Sequence, residues 1–185
     1  MNSITATNSP AQNLRRLSWW MARACLLLIV LLPILAIAYW QWADPAQLAL
    51  RAQLPVDAIR APLTSAQRWA GAVVTFVPLL FFCAGLWQAR ACFRLFEAGE
   101  VFTAATVRCL RRFAGWVSVS VAASMVAATA TSVVLTFHNP PGARHLAISF
   151  GTDQVFTLFF AGMVWVMATV IGQGRALAEE NAAFV

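Results

Sequence analysis

Residues 69–89 read "WAGAVVTFVPLLFFCAGLWQA", an apolar run without a single charged residue. A helix needs about 20 such residues to cross the roughly 30 Å hydrocarbon core of a bilayer. Tryptophans stand at or near both ends, at Trp69 and Trp87, and such rings are enriched at the interface between membrane and water. The run therefore predicts a transmembrane helix and indicates which fold class to look for in the rest of the chain.

Three further apolar runs repeat this pattern, at residues 24–42, 113–137 and 154–174. Hydrophobic residues make up 61% of the chain and charged residues 11%, whereas soluble domains carry roughly 25% charge. We therefore expect an all-α integral membrane bundle of four transmembrane helices. It would form a single domain over residues 14–185, behind a polar, disordered head at residues 1–13.

The first apolar run also has features of a secretory signal peptide. Arginines precede it, and Ala36 and Ala38 form the small-x-small pattern of a cleavage site. The apolar stretch before that site is long for a signal, however, and Tyr39, Trp40 and Trp42 follow as an aromatic belt. We expect a retained span, and cleavage stays open as the alternative.

The arginines indicate the orientation of the spans. All thirteen basic residues are arginines, against seven acids. Nine of them lie before the first run, in the central loop or in the tail, and four lie in the two other loops. Because positive residues favour the cytoplasmic side, both termini and the central loop are predicted to be cytoplasmic, in a bacterial inner membrane. Their distribution over short loops indicates contact with the lipid bilayer and not direct nucleic acid binding.

The two loops predicted to lie outside differ in character. Residues 43–68 carry apolar residues between three prolines, which predicts short amphipathic helical pieces on the membrane surface. Residues 138–153 contain an Asn-Pro-Pro-Gly turn flanked by His138 and His145. Because Asp153 is the only further donor nearby, we expect no metal site and no cofactor. The four cysteines show no ligand spacing and are expected to stay reduced.

The four spans contain no Asp, Glu, Lys, Arg or His. Ionisable residues inside a membrane mark proton relays and ion paths, so their absence disfavours an ion-coupled transporter. The sequence also lacks the nucleophile-elbow, P-loop and zinc-protease motifs. We therefore expect a protein that is not an enzyme.

Hydroxyl and small side chains are concentrated in the third span. Its hydroxyl residues include Ser118, Ser120, Ser124, Thr129, Thr131 and Ser132. Small residues spaced four apart let membrane helices approach closely, and three such pairs are Ser118/Ala122, Ala123/Ala127 and Ala127/Thr131. A centrally packed helix, a homodimer interface and a path for a polar substrate all fit this pattern. The last makes a small transporter or channel-like protein the alternative function.

Residues 92–116, "CFRLFEAGEVFTAATVRCLRRFAGW", join the second and third spans. Apolar positions before Gly99 keep helical spacing, and Gly99 supplies the left-handed residue that commonly follows a helix. Thr103 is a suitable N-cap for the next helix, with Phe102 before it as an apolar wedge. We therefore expect a helix that ends at Gly99 and a second helix whose first turn is capped by Thr103, with Phe102 packed against its start.

Arg108, Arg111 and Arg112 follow the cap at spacings of three and four, which place Arg108 beside both of the others. Their side chains can reach lipid phosphates or the acids of the same side, which are Glu97, Glu100, Glu179 and Glu180. Pairing with the last two would tie the central loop to the tail. Exposed ion pairs contribute only about 0–1 kcal/mol each, so such pairing would set geometry more than stability.

Two segments resemble the bacterial membrane proteins of the domain-of-unknown-function family DUF2975. They are residues 92–116 and the terminal "GRALAEENAAFV" at 174–185, and the matching residues are Phe102, Thr103, Val107, Leu110, Leu177, Glu180, Asn181 and Val185. The resemblance implies four spans and no established activity. It also implies a regulatory partnership with a small helix-turn-helix protein.

The leading hypothesis is a multi-pass membrane protein whose cytoplasmic face binds a regulator or another cytoplasmic protein. The candidate contact surface comprises Glu97, Gly99, Glu100, Phe102, Thr103, Arg108, Arg111, Arg112, Glu179, Glu180 and Asn181.

Overall fold

The computed structural model describes residues 10–51, 63–137, 139 and 151–182, and these residues form five α-helices and no strand. The helices are α1 (Pro10–Trp42), α2 (Pro45–Arg51), α3 (Ser65–Glu97), α4 (Ala104–Thr136) and α5 (Thr152–Ala182). All except α2 are long and apolar enough to cross a membrane. The prediction of an all-α fold with four transmembrane helices is confirmed.

The four long helices alternate in direction. Each has 31 or 33 residues and is therefore about 45–50 Å long, which exceeds the apolar core of a bilayer. The turn at residues 98–103 between α3 and α4 is called the elbow. The end of the bundle that holds it is the elbow end, and the opposite end is the far end.

The main contacts between helices join α1 to α3, α3 to α4 and α4 to α5. In the most apolar window of each helix, 28% of the residues of α3 and α4 are buried within the protein, against 11% in α1 and α5. The central pair thus supplies most of the internal packing, and large apolar side chains on the outer pair remain exposed. Such exposure is expected of membrane-spanning helices, because their outer faces contact lipid and not water.

The first helix begins at Pro10, inside the segment predicted as a disordered head. Proline suits the first helical turn because its missing N–H would have no partner there. Residues 1–9 lie outside the described residues.

The predicted helical pieces between the first two spans are represented by α2, and residues 52–62 lie outside the described part of the chain. The sequence placed these pieces on the membrane surface, but Leu48 and Ala49 are buried in a cluster with Trp40, Ala72 and Leu135. The apolar face of α2 therefore packs onto the far end of the bundle. The predicted turn at residues 139–142 is described only at Asn139.

Two polar side chains fasten the far end. Gln67 accepts a hydrogen bond from the backbone N–H of Thr64 at 3.0 Å, and its amide donates to the carbonyl of Val134 in α4 at 3.3 Å. Nη1 of Arg68 lies within hydrogen-bond distance of the carbonyls of residues 40, 41 and 43 at 2.9–3.2 Å. Because these carbonyls lie at the end of α1 and just beyond it, Arg68 acts as the cap of that helix.

Pro33 and Pro78 lie within α1 and α3. Pro78 is buried, and its carbonyl accepts a hydrogen bond at 2.9 Å from the hydroxyl of Ser120 in α4. This bond places Pro78 in the contact between α3 and α4.

Candidate functional site

The elbow begins with a tightly closed helix end. Gly99 has a positive φ of 87°, which glycine adopts without the steric cost of a side chain. The N–H of Gly99 donates to the carbonyl of Phe96 at 3.1 Å, and the N–H of Glu100 donates to that of Leu95 at 2.9 Å. These two bonds form a Schellman motif, so the predicted glycine stop is confirmed.

The start of α4 is capped as predicted. The hydroxyl of Thr103 accepts a hydrogen bond from the N–H of Thr106 at 3.3 Å. Thr106 is fully buried, and its own hydroxyl donates to the carbonyl of Glu100 at 2.7 Å. The sequence offered no direct signal for Thr106, whose side chain bonds back across the turn. Both sides of the elbow are thus fixed by hydrogen bonds.

The elbow is separated from the apolar runs of α3 and α4 by about two helical turns on each side. Eight residues of α3, from Arg90 to Glu97, follow the apolar run that ends at residue 89, and they span about 12 Å of helix. Nine residues at the start of α4 precede the next apolar run at 113. The polar layer on each side of a bilayer is only about 5–8 Å thick. An α3 that crosses a bilayer therefore carries the elbow beyond the lipid headgroups.

Phe102 does not act as the predicted wedge, because 72% of its surface is exposed. A residue at this position would normally pack on Val107, one turn into the helix. Val107 is only 7% exposed and faces Gly172 of α5, where a methyl group would lie 3.6 Å from its Cγ1. Val107 therefore lies against α5, while the ring of Phe102 is left exposed at the elbow.

The three arginines of α4 remain exposed. Arg108, Arg111 and Arg112 form no ion pair with any residue that the structure describes. The sequence offered pairing with the glutamates, but Glu179 instead pairs with Arg175 of its own helix at 2.6 Å. The arginines are therefore available for contacts outside the described part of the chain.

The tail lies at the elbow end without joining the elbow. Glu179, Glu180 and Asn181 are exposed on the last turns of α5. Because α5 continues for ten residues past Gly172, while α4 begins only three residues before Val107, α5 projects roughly 10 Å further than α4. The candidate surface thus has two parts, a compact elbow and a protruding helix end. Val185 lies outside the described residues.

A second feature, missed by the sequence analysis, is a cavity of about 920 Å³ in the far half of the bundle. Its walls come from residues 32–42 of α1, 75–79 of α3 and 124–131 of α4, and Ala43 and Leu48 line it as well. This volume is typical of small-molecule sites. The sequence signals for it were the hydroxyls of the third span, two of which line it, and alanines on facing helices, because small side chains leave space where larger ones would meet.

Few polar groups line this cavity. The indole N–H of Trp40 donates to the hydroxyl of Thr75 at 2.8 Å, which in turn donates to the carbonyl of Gly71 at 2.6 Å. Ser124 and Thr131 of α4 also line the wall. The surface therefore suits an apolar or weakly polar occupant.

Most hydroxyls of α4 are already bonded to backbone carbonyls. Ser118, Ser124, Thr129 and Ser132 each donate to a carbonyl three or four residues earlier in the helix. Ala127, a member of two small pairs, is buried and lines the cavity. These observations support internal packing for this face, and homodimerisation stays a prediction.

Within the described ranges, no three His, Cys, Asp or Glu side chains are grouped so that they could hold a metal ion. His138 and His145 lie outside those ranges. All four cysteines are unbridged thiols.

Residues 56–185 match the protein family described as "Protein of unknown function (DUF2975)". The matched segment contains α3, α4 and α5, and with them the elbow and the tail. No curated protein and no solved structure matches the chain.

Proposed function

Because the chain belongs to the DUF2975 family, to which no function is attached, we propose one from its own geometry. It is a multi-pass protein of the bacterial inner membrane, not an enzyme, and its elbow end faces the cytoplasm and binds a protein partner. The observation that carries the proposal is Phe102, which is 72% exposed on a turn fixed by hydrogen bonds; an α3 that crosses a bilayer would place this turn beyond the headgroups. An exposed aromatic ring on a fixed backbone can anchor a protein interface at low entropic cost.

Charge defines the kind of partner. Arg108, Arg111 and Arg112 follow Phe102 on α4 and form no ion pair with another described residue, and Glu97 and Glu100 are the acids on or beside the elbow. We therefore propose a partner with an apolar pocket bordered by carboxylates. A small helix-turn-helix regulator is the partner that the family resemblance implies, and its contact would use a face other than the basic one that binds DNA.

The orientation rests on the arginines. The elbow end holds nine of the thirteen, as expected for the cytoplasmic side of a membrane protein.

Site-specific photo-crosslinking in membranes tests this function. A photoreactive phenylalanine analogue placed at position 102 is expected to link to a protein at a peptide rich in Asp and Glu. The matched control is position 159, because Phe159 is similarly exposed, at 70%, but lies within an apolar span; it should link only to lipid.

Charge reversal completes the test. Arg108→Glu combined with Arg111→Glu should abolish the protein crosslink, whereas Arg16→Glu, an exposed arginine of the same end, should leave it intact. Lipid adducts alone at position 102, or protein adducts that survive the double reversal, would refute the proposal.

The cavity supports a second candidate function, a small transporter or channel-like protein. Ser124 and Thr131, two of the hydroxyls that suggested this alternative, do line the cavity wall, and the apolar lining favours a weakly polar solute. Flux of such a solute from proteoliposomes should fall in the variant Ser124→Val/Thr131→Val. Thr129→Val is the control, since Thr129 also donates to a carbonyl of its own helix, as Ser124 does, but is not among the lining residues. Equal flux in all variants would refute this candidate.

A further inference from the structure

A second, smaller cleft lies at the elbow end between α1 and α3. It has a volume of about 180 Å³. Three arginines line it, Arg23 from α1 and Arg90 and Arg94 from α3, together with the single acid Glu97. The cleft thus has an excess of two positive charges.

These charges are held in place without being neutralised. The guanidinium carbon of Arg23 lies 3.5 Å from the ring centroid of Trp19, which also lines the cleft, and that of Arg90 lies 5.3 Å from the ring of Trp87. Arg23, Arg90 and Arg94 form no ion pair with another described residue, Glu97 included. Stacking on an aromatic ring orients a guanidinium while leaving its N–H groups free to bind an anion.

A hydrogen bond beside the cleft also joins α1 to the backbone of α3. Nε of Arg15 in α1 donates to the carbonyl of Glu97 at the end of α3, at 2.8 Å. This bond joins the two helices at the elbow end of the cleft. The walls therefore keep a fixed separation there.

The depth of the cleft identifies its ligand. Arg23 directly precedes the apolar run that starts at residue 24, and Arg90 directly follows the run that ends at 89. Both therefore lie at the boundary of the apolar zone, the depth of lipid phosphates. Leu26, one turn further into the apolar zone, also lines the cleft and is 42% exposed. A ligand there would meet arginines at its phosphate and an apolar side chain below it.

We propose that this cleft is a specific site for the phosphate group of an anionic phospholipid, held by Arg23, Arg90 and Arg94. Arginine binds phosphate oxygens through paired, charge-assisted hydrogen bonds. One lipid per chain would fill the cleft between α1 and α3 and stabilise the contact between these helices. The proposal does not depend on whether the elbow binds a protein.

Native mass spectrometry of the full chain in detergent tests this inference. With phosphatidylglycerol added, one lipid per chain is expected to remain bound, and zwitterionic phosphatidylcholine should be retained far less. Arg23→Gln combined with Arg90→Gln should weaken the binding of phosphatidylglycerol by about tenfold or more. Glu97→Gln, which removes the opposing charge, should strengthen it.

Controls separate a site from general charge attraction. Arg16→Gln combined with Arg175→Gln removes the same charge from positions of the elbow end that do not line the cleft and should change binding less than twofold. Thermal unfolding of each variant verifies that it is folded. Equal losses in the two double variants, or no retained lipid in the wild type, would overturn the proposal. Displacement of the lipid by millimolar inorganic phosphate would assign the cleft to a soluble anion and would also overturn it.

Discussion

Replacing Gly99 by alanine tests the account of the elbow with a calculable effect. Gly99 adopts a φ of +87°, and a Cβ added there would meet nothing within 4 Å. The cost therefore comes from the backbone alone, about 1–2 kcal/mol for a left-handed residue with a side chain. The reduced freedom of the unfolded chain offsets about 0.4–1 kcal/mol of it. We expect a net loss of about 1 kcal/mol in the free energy of unfolding.

Gly174 supplies the matched control, because it lies at the same end of the molecule within α5. A Cβ at that position also meets nothing within 4 Å, but the backbone is helical. Alanine there should stabilise the protein by about 0.5–1 kcal/mol. The same substitution is thus expected to have opposite signs at positions 99 and 174.

Equilibrium unfolding in mixed micelles of dodecyl maltoside and sodium dodecyl sulfate, followed by circular dichroism, measures both effects. Gly99→Asn should lose less stability than Gly99→Ala, since asparagine tolerates the left-handed region better than alanine does. The reasoning would be refuted by a Gly99→Ala variant as stable as the wild type. A loss above about 3 kcal/mol would also contradict it, since it would exceed the left-handed penalty.

Two further substitutions test the packing of α3. Gly71→Ala should lower the free energy of unfolding by about 1–3 kcal/mol, because the new methyl group would overlap the indole of Trp40, itself only 3% exposed. Gly85→Ala, where the nearest atom outside the helix lies 3.4 Å away, should be nearly neutral in the same micelle assay, and equal effects at the two glycines would contradict the structure. Ser120→Ala should cost about 0.6–1.7 kcal/mol through the lost hydrogen bond to the carbonyl of Pro78, and an unchanged unfolding midpoint would show that this bond contributes nothing.

Local rules made much of the elbow predictable from sequence. Gly99 and Thr103 could be assigned because the end of one helix and the cap of the next are determined by residues within a few positions along the chain. The four spans were predictable for a similar reason, since length and apolarity are properties of each segment alone.

Features that depend on contacts between helices were not predictable in the same way. Phe102 was expected to pack on its own helix but is exposed, and Val107 lies against α5, a contact between helices that no local pattern reveals. The sequence offered Glu179 as a partner for the arginines of α4. In the structure Glu179 pairs instead with Arg175, which lies four residues earlier in its own helix. The cavity arises from the spacing of α1, α3 and α4, and spacing is a property of the assembled bundle.

The hydrogen bond from Gln67 to Val134 has a consequence for the order of membrane insertion. These residues are 67 positions apart in the chain, so a ribosome must complete nearly all of α4 before the amide of Gln67 finds this acceptor. Until then only the local bonds to Thr64 are available. The start of α3 is thus bonded to α4 late, when these two helices are already joined through the elbow. Biogenesis of the central pair should therefore proceed as closure of a hairpin, from the elbow towards the far end.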